Sequence, residues 1–117
     1  MKASEVKKIL GAKVLCGEAM LDAIEVDTAF GADMMSDVLA FVKPTTLILT
    51  GMVNLHVIRT AEMLDSRCVV FVRGKNITED ILQAARELDL ILLTTDKTLF
   101  TACGLLYEAG LRGCTRG

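Results

Sequence analysis

The residues best suited to bind a ligand come directly after short apolar runs in this chain. Glycine lets another group approach the backbone closely, while threonine, aspartate and basic side chains supply hydrogen-bonding and charged groups. In an open α/β sheet, ligands collect outside the carboxyl ends of the parallel strands, where such residues would lie. The candidate ligand-binding residues are Thr50, Gly51, Arg73, Gly74, Lys75, Thr95, Asp96 and Thr98.

These residues also have a purely structural interpretation. Any parallel sheet needs Gly, Asn, Thr and Asp where a strand turns into a helix, because they bend the chain and cap the helix. In ILLTTDKT, residues 91–98, either Asp96 or Thr98 is suited to cap the next helix. Arg73, Lys75 and Lys97 would add positive charge suited to a phosphate or nucleotide group. Both interpretations remain open, and convergence of these side chains on one crevice would favour binding.

A secondary candidate site lies in FGADMMSDVLA. Asp33, Ser36 and Asp37 fall at a predicted junction between a turn and a helix. Carboxylates four residues apart share a helix face, so they could hold a divalent ion or a hydrogen-bonding partner. Capping of the helix by aspartate in its first turn explains the same residues without a ligand.

Enzyme signatures are missing from the sequence. It contains no G-x-x-x-x-G-K-[ST] phosphate loop, no G-x-G-x-x-G turn and no G-x-S-x-G nucleophile elbow. The single histidine, His56, has no sequence neighbour that would fix its tautomer for a catalytic triad. The four cysteines form no C-x-x-C pair, and one histidine cannot complete a usual zinc spacing. We therefore expect no catalytic residues, no metal and no cofactor.

Composition excludes several other classes of protein. Thirteen basic and fifteen acidic residues give a net charge of −2, and the chain has four Phe, one Tyr and no Trp. Neither a basic field nor stacking platforms for nucleic acid are expected. No apolar run approaches the roughly 20 residues that span a bilayer, and the start MKASEVKK lacks the apolar core of a secretory signal. We expect a cytoplasmic protein without a membrane partner, in which Cys16, Cys68 and Cys103 are buried free thiols.

The second half of the chain repeats one unit three times. Apolar runs that begin at Leu47, Val69 and Ile91 lie 22 residues apart, and each is followed by a polar turn and an amphipathic segment. This spacing fits one strand and one crossover helix, which places three parallel strands side by side. Continuous apolar runs are typical of strands covered by helices on both faces. The sequence thus predicts a single α/β domain over residues 1–111, with a mainly parallel sheet flanked by helices.

Local signals place the remaining elements. Asn54 and Thr78 are predicted helix caps, and a helix from about Thr78 to Asp89 would bury its apolar stripe. In the first half, Ser4 is predicted to cap a helix that ends at Gly11, Lys13–Cys16 a strand, and Ala23–Phe30 a second strand. A further helix would bury Met34, Val38, Phe41 and Val42 and end at Lys43-Pro44. Residues 112–117 are predicted to form a disordered tail.

The run VVFVRGKNITEDILQAARELDLILLTTDKTLFTACGLL resembles the DRTGG domain and the N-terminal domain of HPr kinase/phosphorylase. In that pattern a strand ends in a glycine turn, a helix of the P/T-x-E-x-x-x-x-A type follows, and the next strand runs into a T/S…D-T segment. ADMMSDVLA is similar to small stand-alone proteins of the same family, so the resemblance extends from about Met1 to Leu111. The matching positions are Arg73, Gly74, Thr78, Glu79, Ala85, Leu92, Leu93, Thr95, Asp96 and Thr98.

The resemblance implies a fold shared with the uridine-nucleotide-binding N-terminal domains of Mur ligases. It also implies a regulatory or interaction module that tends to self-associate. Because 52% of the residues in this small domain are hydrophobic, part of its surface could be covered by a second copy, and we expect a homodimer. The kinase activity of HPr kinase belongs to a separate P-loop domain, so it is not expected here. Our leading hypothesis is a non-catalytic module that binds a small anionic or nucleotide-like ligand at the strand ends. Two alternatives remain: a protein-binding adaptor without a ligand, and a small-molecule enzyme that uses Asp33, Asp37 or Asp96.

Overall fold

The computed structural model describes residues 1–36 and 45–113. Among these residues, six strands form one sheet in the order β1-β5-β4-β3-β2-β6. Neighbouring strands run parallel throughout, except that β1 runs antiparallel to β5. This confirms the predicted mainly parallel α/β sheet. The strands are β1 (Lys13–Cys16), β2 (Thr28–Gly31), β3 (Thr46–Thr50), β4 (Cys68–Phe71), β5 (Ile91–Thr94) and β6 (Arg112–Gly113).

Helices cover both faces of this sheet. Helices α1 and α4 pack on one face, and α2 and α3 pack on the other. Successive strand residues alternate between these two cores, so that Val70 faces α1 and α4 while Val69 and Phe71 face α2 and α3. Both sides of the central strands are therefore buried, which explains their continuous apolar runs. The helices are α1 (Ala3–Leu10), α2 (Leu55–Met63), α3 (Glu79–Glu87) and α4 (Leu99–Glu108), with a short 3-10 helix at Glu18–Met20.

The three repeated units are confirmed as consecutive neighbours in the sheet. β3 pairs with β4 and β4 with β5, all in parallel. Asn54 caps α2 as predicted, because its Oδ1 accepts a hydrogen bond from the N–H of Val57 at 3.2 Å. Thr78 holds the N-cap position of α3, but its hydroxyl donates to Asp80 instead of capping the backbone. The order of strands and helices in the second half of the chain thus follows the sequence pattern closely.

The first half departs from the predictions at its strand and cap. The second strand is Thr28–Gly31, not Ala23–Phe30, and Ser4 lies inside α1, whose N-cap is Lys2. The backbone N–H groups of Ala3 and Ser4 donate to the carbonyls of Ile24 and Leu21, at 2.9 and 3.0 Å. The segment before β2 therefore folds back to satisfy the free donors of α1, and it cannot extend β2 at the same time.

Two further predictions need correction. Met34 was predicted to face the core, but it is 64% exposed, and its neighbour Met35 is buried instead. The tail was predicted to be disordered from Arg112, but Arg112 and Gly113 pair with β2 after buried Leu111. The predictions for Asp37, Val38, Phe41, Val42, the Lys43-Pro44 stop and Cys114–Gly117 lie outside the described residues.

Helices α2 and α3 end on the same unusual backbone feature. Asp65 and Asp89 each follow the leucine at the C-cap of the helix, Leu64 and Leu88, and adopt φ of 54° in the left-handed region. Glycine commonly occupies this position because a Cβ there crowds the backbone, whereas aspartate tolerates it better than most residues. Both aspartates are exposed. The first two of the three repeated units therefore carry a small amount of conformational strain at the helix end, whereas Gly110 follows the third helix.

Replacing Asp89 by glycine should raise the free energy of unfolding by about 0.5–1 kcal/mol, since glycine adopts this backbone conformation at little cost. Chemical denaturation followed by circular dichroism measures the change. Asp89→Ala is the matched control, because it removes the same carboxylate but keeps a Cβ. A glycine variant no more stable than the alanine variant would contradict the strain argument.

Candidate functional site

A crevice lies at the carboxyl ends of β4 and β5, where successive helices pack on opposite faces of the sheet. After β4 the chain continues into α3 on one face of the sheet, whereas after β5 it continues into α4 on the other. The loops that leave these two neighbouring strands therefore diverge. In open α/β sheets such a switch point is the usual position of a ligand crevice.

A cleft of about 200 Å³ occupies this position, and we call it the edge cleft. The exits of β4 and β5 form two of its walls, and the turn before β1 forms the third. It brings together four predicted site residues, namely Gly74, Lys75, Thr95 and Asp96, and adds others. The lining residues are Gly11, Lys13, Gly74, Lys75, Asn76, Thr94, Thr95 and Asp96.

The sequence predictions missed Gly11, Lys13 and Asn76 in this cleft. Lys13 begins β1 and pairs with Thr94, the last residue of β5, because β1 runs antiparallel to the other strands. Its amino end therefore lies beside the carboxyl ends of the parallel strands. The same reversal places Cys16, the last residue of β1, beside the amino ends of the parallel strands. If β1 ran parallel to β5, Cys16 would lie at the carboxyl ends of the strands and Lys13 at the amino ends. No local signal in the sequence indicates the direction of β1.

Hydrogen bonds join the exits of β4 and β5. The N–H groups of Arg73 and Gly74 donate to the carbonyls of Lys97 and Thr95, at 2.8 and 2.9 Å. To make these bonds, Arg73 and Gly74 adopt φ of 66° and 60°. Glycine suits this geometry, whereas Arg73 pays a steric cost for it. Backbone hydrogen bonds thus connect these two walls of the cleft.

The guanidinium group of Arg73 lies outside the edge cleft. It packs on the backbone of Gly51, where an added Cβ would come within 2.0 Å of a guanidinium nitrogen. The N–H of Gly51 donates to Asp33 Oδ1 at 2.8 Å. The exit of β3 therefore holds Arg73 and Asp33, and the exits of β4 and β5 hold the edge cleft. The predicted residues divide between two places and do not converge on a single crevice.

Three predicted ligand groups have structural hydrogen bonds. The buried hydroxyl of Thr50 accepts from the N–H of Met52 at 3.1 Å, and that of Thr98 accepts from the N–H of Thr101 at 3.4 Å, which caps α4. The hydroxyl of Thr95, also buried, donates to the carbonyl of Leu10 at 3.0 Å. These threonines shape the edge, since their hydroxyls already bond to backbone groups.

The same carbonyl of Leu10 receives a second donor from Lys97. Its Nζ lies 2.8 Å from the Leu10 oxygen, at the C-terminus of α1. A cation at this end of a helix stabilises the unpaired carbonyls. Lys97 thus links the end of α1 to the exit of β5, and its ammonium group interacts with the helix C-terminus.

Three charged side chains line the edge cleft. Lys13, Lys75 and Asp96 are exposed, and within residues 1–36 and 45–113 their side chains make no hydrogen bond or salt bridge. The salt bridge found in this part of the chain joins Arg86 to Glu79 on α3, at 2.8 Å. Two amines and one carboxylate therefore line the cleft with their hydrogen-bonding capacity unused.

The secondary candidate site is only partly described. The Asp33 carboxylate accepts from Gly51, Ser36 is exposed, and Asp37 lies outside the described residues. In the described part of the chain, no group of three or more His, Cys, Asp or Glu side chains is arranged to hold a metal ion. Asp33 and Asp96 sit at different strand exits.

The cysteines and His56 occupy ordinary structural positions. Burial raises the pKa of Cys68 to about 12, and burial also raises the pKa of Cys16 and Cys103. All three are free thiols, but only Cys68 is fully buried, whereas Cys16 and Cys103 are half-buried. Protonated thiols are poor nucleophiles. His56 is exposed in the first turn of α2.

This combination defines a class of protein: a small α/β module with a cleft at the switch point of a mainly parallel sheet. The DRTGG domain family matches residues 5–109, and the chain belongs to this family. The resemblance noted in the sequence is thereby confirmed. Among residues 1–36 and 45–113, no helix combines the length and apolar character needed to cross a membrane.

The fold is similar to that of a solved structure. It contains the CBS and DRTGG domains of the regulatory region of Clostridium perfringens pyrophosphatase, complexed with its activator diadenosine tetraphosphate. The TM-score is 0.71 at 14% sequence identity, over 92% of this chain and 46% of that chain. The present chain therefore spans about half the length of its structural neighbour. No curated protein sequence matches this chain.

Thr95→Val should lower the free energy of unfolding by about 1 kcal/mol, because a buried hydrogen bond to Leu10 is lost while Lys97 still serves the same carbonyl. Thr95→Ser keeps the hydroxyl and is the control. Denaturant titration of both variants measures the difference. Equal stability of the valine and serine variants would show that the hydroxyl does not hold α1 to the edge.

Proposed function

We propose that this chain is a non-catalytic regulatory module that binds a small anionic ligand in the edge cleft. The observation that carries the proposal is the pair of amines, on Lys13 and Lys75, that line one cleft and form no salt bridge within residues 1–36 and 45–113. An anion would supply the missing charge-assisted hydrogen bonds. Membership of the DRTGG family supports the regulatory role, since the pyrophosphatase neighbour carries its DRTGG domain in a regulatory region complexed with a nucleotide activator.

The absence of catalysis is part of this proposal. If two of the candidate aspartates acted as an acid–base pair, both would have to lie within reach of one substrate. Asp96 lines the edge cleft, whereas Asp33 is bonded to Gly51 at the exit of β3. Burial raises the pKa of the described thiols, which disfavours the nucleophilic thiolate, and His56 is exposed and does not line the cleft. No observation favours the small-molecule enzyme over the binding module.

A cytoplasmic location also belongs to the proposal. Cys16, Cys68 and Cys103 carry free thiols, which are typical of a reducing compartment.

Phosphate, pyrophosphate, AMP and ATP should separate this function from its alternatives in a thermal-shift screen of the whole chain. A ligand at 100 times its dissociation constant stabilises the fold by about 2.7 kcal/mol. Lys75→Ala and Lys13→Ala should each weaken binding of the best ligand by about tenfold, because each removes one charge-assisted hydrogen bond. Isothermal titration calorimetry measures the affinities.

The control is Lys8→Ala, an exposed lysine on α1 that does not line the cleft. It removes the same charge from the protein without touching the site. Binding weakened equally by the Lys8 and Lys75 variants would mean a diffuse charge effect, and absence of stabilisation by all four compounds would overturn the ligand-binding function.

A second candidate function, docking to a protein surface, is favoured by the outer face of α4. Phe100 is 88% exposed and Tyr107 is 58% exposed, and seven residues apart they share one face of the helix. An apolar groove of about 200 Å³ adjoins Tyr107, lined in part by Leu106 and Leu111. Large exposed apolar side chains of this kind mark interaction surfaces. We propose that a second copy of the chain covers this face to form a homodimer, and an adaptor would use it for a different protein.

Phe100→Ala should weaken the homodimer by about tenfold or more, since burial of a phenylalanine side chain contributes about 1.5–3 kcal/mol. Sedimentation equilibrium over micromolar concentrations measures the dimer dissociation constant. Met63→Ala is the control, because Met63 is 72% exposed at the end of α2, a helix that packs on the other face of the sheet. A wild-type chain that stays monomeric would remove the homodimer and leave the adaptor.

A further inference from the structure

The edge cleft contains charges of both signs that are not paired with each other. Asp96 lines it together with Lys13 and Lys75, yet none of the three takes part in a salt bridge among the described residues. A site built for a simple anion would be weakened by a carboxylate, because like charges repel. The carboxylate therefore requires an explanation beyond anion binding.

The Asp96 carboxylate lies directly against the backbone of Gly74. A Cβ placed on Gly74 would come within 2.7 Å of Asp96 Oδ1, a distance that real Cβ atoms do not tolerate. Glycine at this position thus lets the carboxylate lie directly against the turn. Asp96 accepts no hydrogen bond within residues 1–36 and 45–113, so both of its oxygens are available.

Such a carboxylate is suited to accept hydrogen bonds from hydroxyl groups. Its two oxygens match two neighbouring hydroxyls, and an acidic residue recognises ribose hydroxyls in this way in dinucleotide-binding folds. The amines of Lys13 and Lys75 would at the same time hold a phosphate group. One compound that carries both groups would satisfy all three side chains.

The size of the cleft limits how much of a ligand it encloses. Its volume of about 200 Å³ lies below the roughly 300–1,000 Å³ of sites that bury drug-sized ligands. A single phosphorylated sugar is the scale of group that fits, and any larger attachment would extend into solvent. The cleft is open enough for this, since Lys13, Lys75 and Asp96 are all exposed.

We infer that the edge cleft recognises a phosphate monoester of a polyhydroxy sugar, either free or as the ribose phosphate of a nucleotide. Lys13 and Lys75 hold the phosphate, and Asp96 accepts hydrogen bonds from the sugar hydroxyls. This inference rests on the proposed function and specifies the ligand class for the same site.

The test compares ribose 5-phosphate with propyl phosphate on the whole chain by isothermal titration calorimetry. Both carry the same phosphate monoester, but propyl phosphate has no hydroxyls. Wild-type protein should bind ribose 5-phosphate at least about tenfold tighter, since a hydrogen bond to a charged group is at stake. AMP tests the nucleotide source, and binding equal to or tighter than that of ribose 5-phosphate would assign the site to nucleotides.

Asp96→Asn is the matching variant, because it keeps the shape of the side chain and removes the charge. It should abolish the preference for ribose 5-phosphate while leaving propyl phosphate binding equal or stronger. Thermal unfolding of the variant without ligand checks that the fold is retained. The comparison of the two ligands on wild-type protein stands even if this variant fails to fold.

The outcomes distinguish this inference from the proposed function. Equal affinity of wild-type protein for the two compounds would overturn the assignment to sugar phosphates and leave the binding of anions in place. A preference that persists in Asp96→Asn would overturn the role of the carboxylate. No binding of either compound, together with no response to phosphate, pyrophosphate or nucleotides, would overturn the proposed function as well.

Discussion

The carboxyl edge of this sheet depends on a small set of hydrogen bonds between the exits of β4 and β5. The backbone bonds from Arg73 to Lys97 and from Gly74 to Thr95 tie the two loops together although the helices after them cover opposite faces. Thr95 and Lys97 then both donate to the carbonyl of Leu10. The end of α1 and the start of β1 are thereby positioned at the same edge, which is how Lys13 comes to line the edge cleft.

At this edge, burial separates the polar residues with structural hydrogen bonds from the exposed charged residues. Buried hydroxyls such as those of Thr50 and Thr95 would cost free energy if they lacked partners, and both have backbone partners. The exposed side chains of Lys75 and Asp96 carry no such requirement, because water solvates them when no ligand is present. These two buried hydroxyls therefore have structural roles, and the exposed charges are the groups that we propose contact a ligand.

Much of the fold followed from pattern alone in the second half of the chain. Apolar runs such as Val69–Val72, repeated at intervals of 22 residues, left few arrangements other than parallel strands with crossover helices. The first half was harder, because its elements are held by contacts distant in sequence. The free donors at the start of α1 are satisfied by carbonyls near Leu21 and Ile24, and this shortens the second strand. The helix caps show the same difference. Asn54 caps α2 as predicted, whereas Ser4 lies inside α1 and carbonyls distant in sequence accept the hydrogen bonds at the start of that helix.

The sequence indicated which types of residue lie at the strand exits, but not which of them lie together in the edge cleft. The sequence by itself determined the α/β class, the repeated units and the polar residues at the strand exits, since these follow from hydrophobic periodicity and turn chemistry over short distances. Only the tertiary structure decided that β1 runs antiparallel, that Lys13 joins Lys75 and Asp96, and that Arg73 turns instead to Gly51. Strand direction and the meeting of loops depend on pairings between distant segments, which no local pattern encodes.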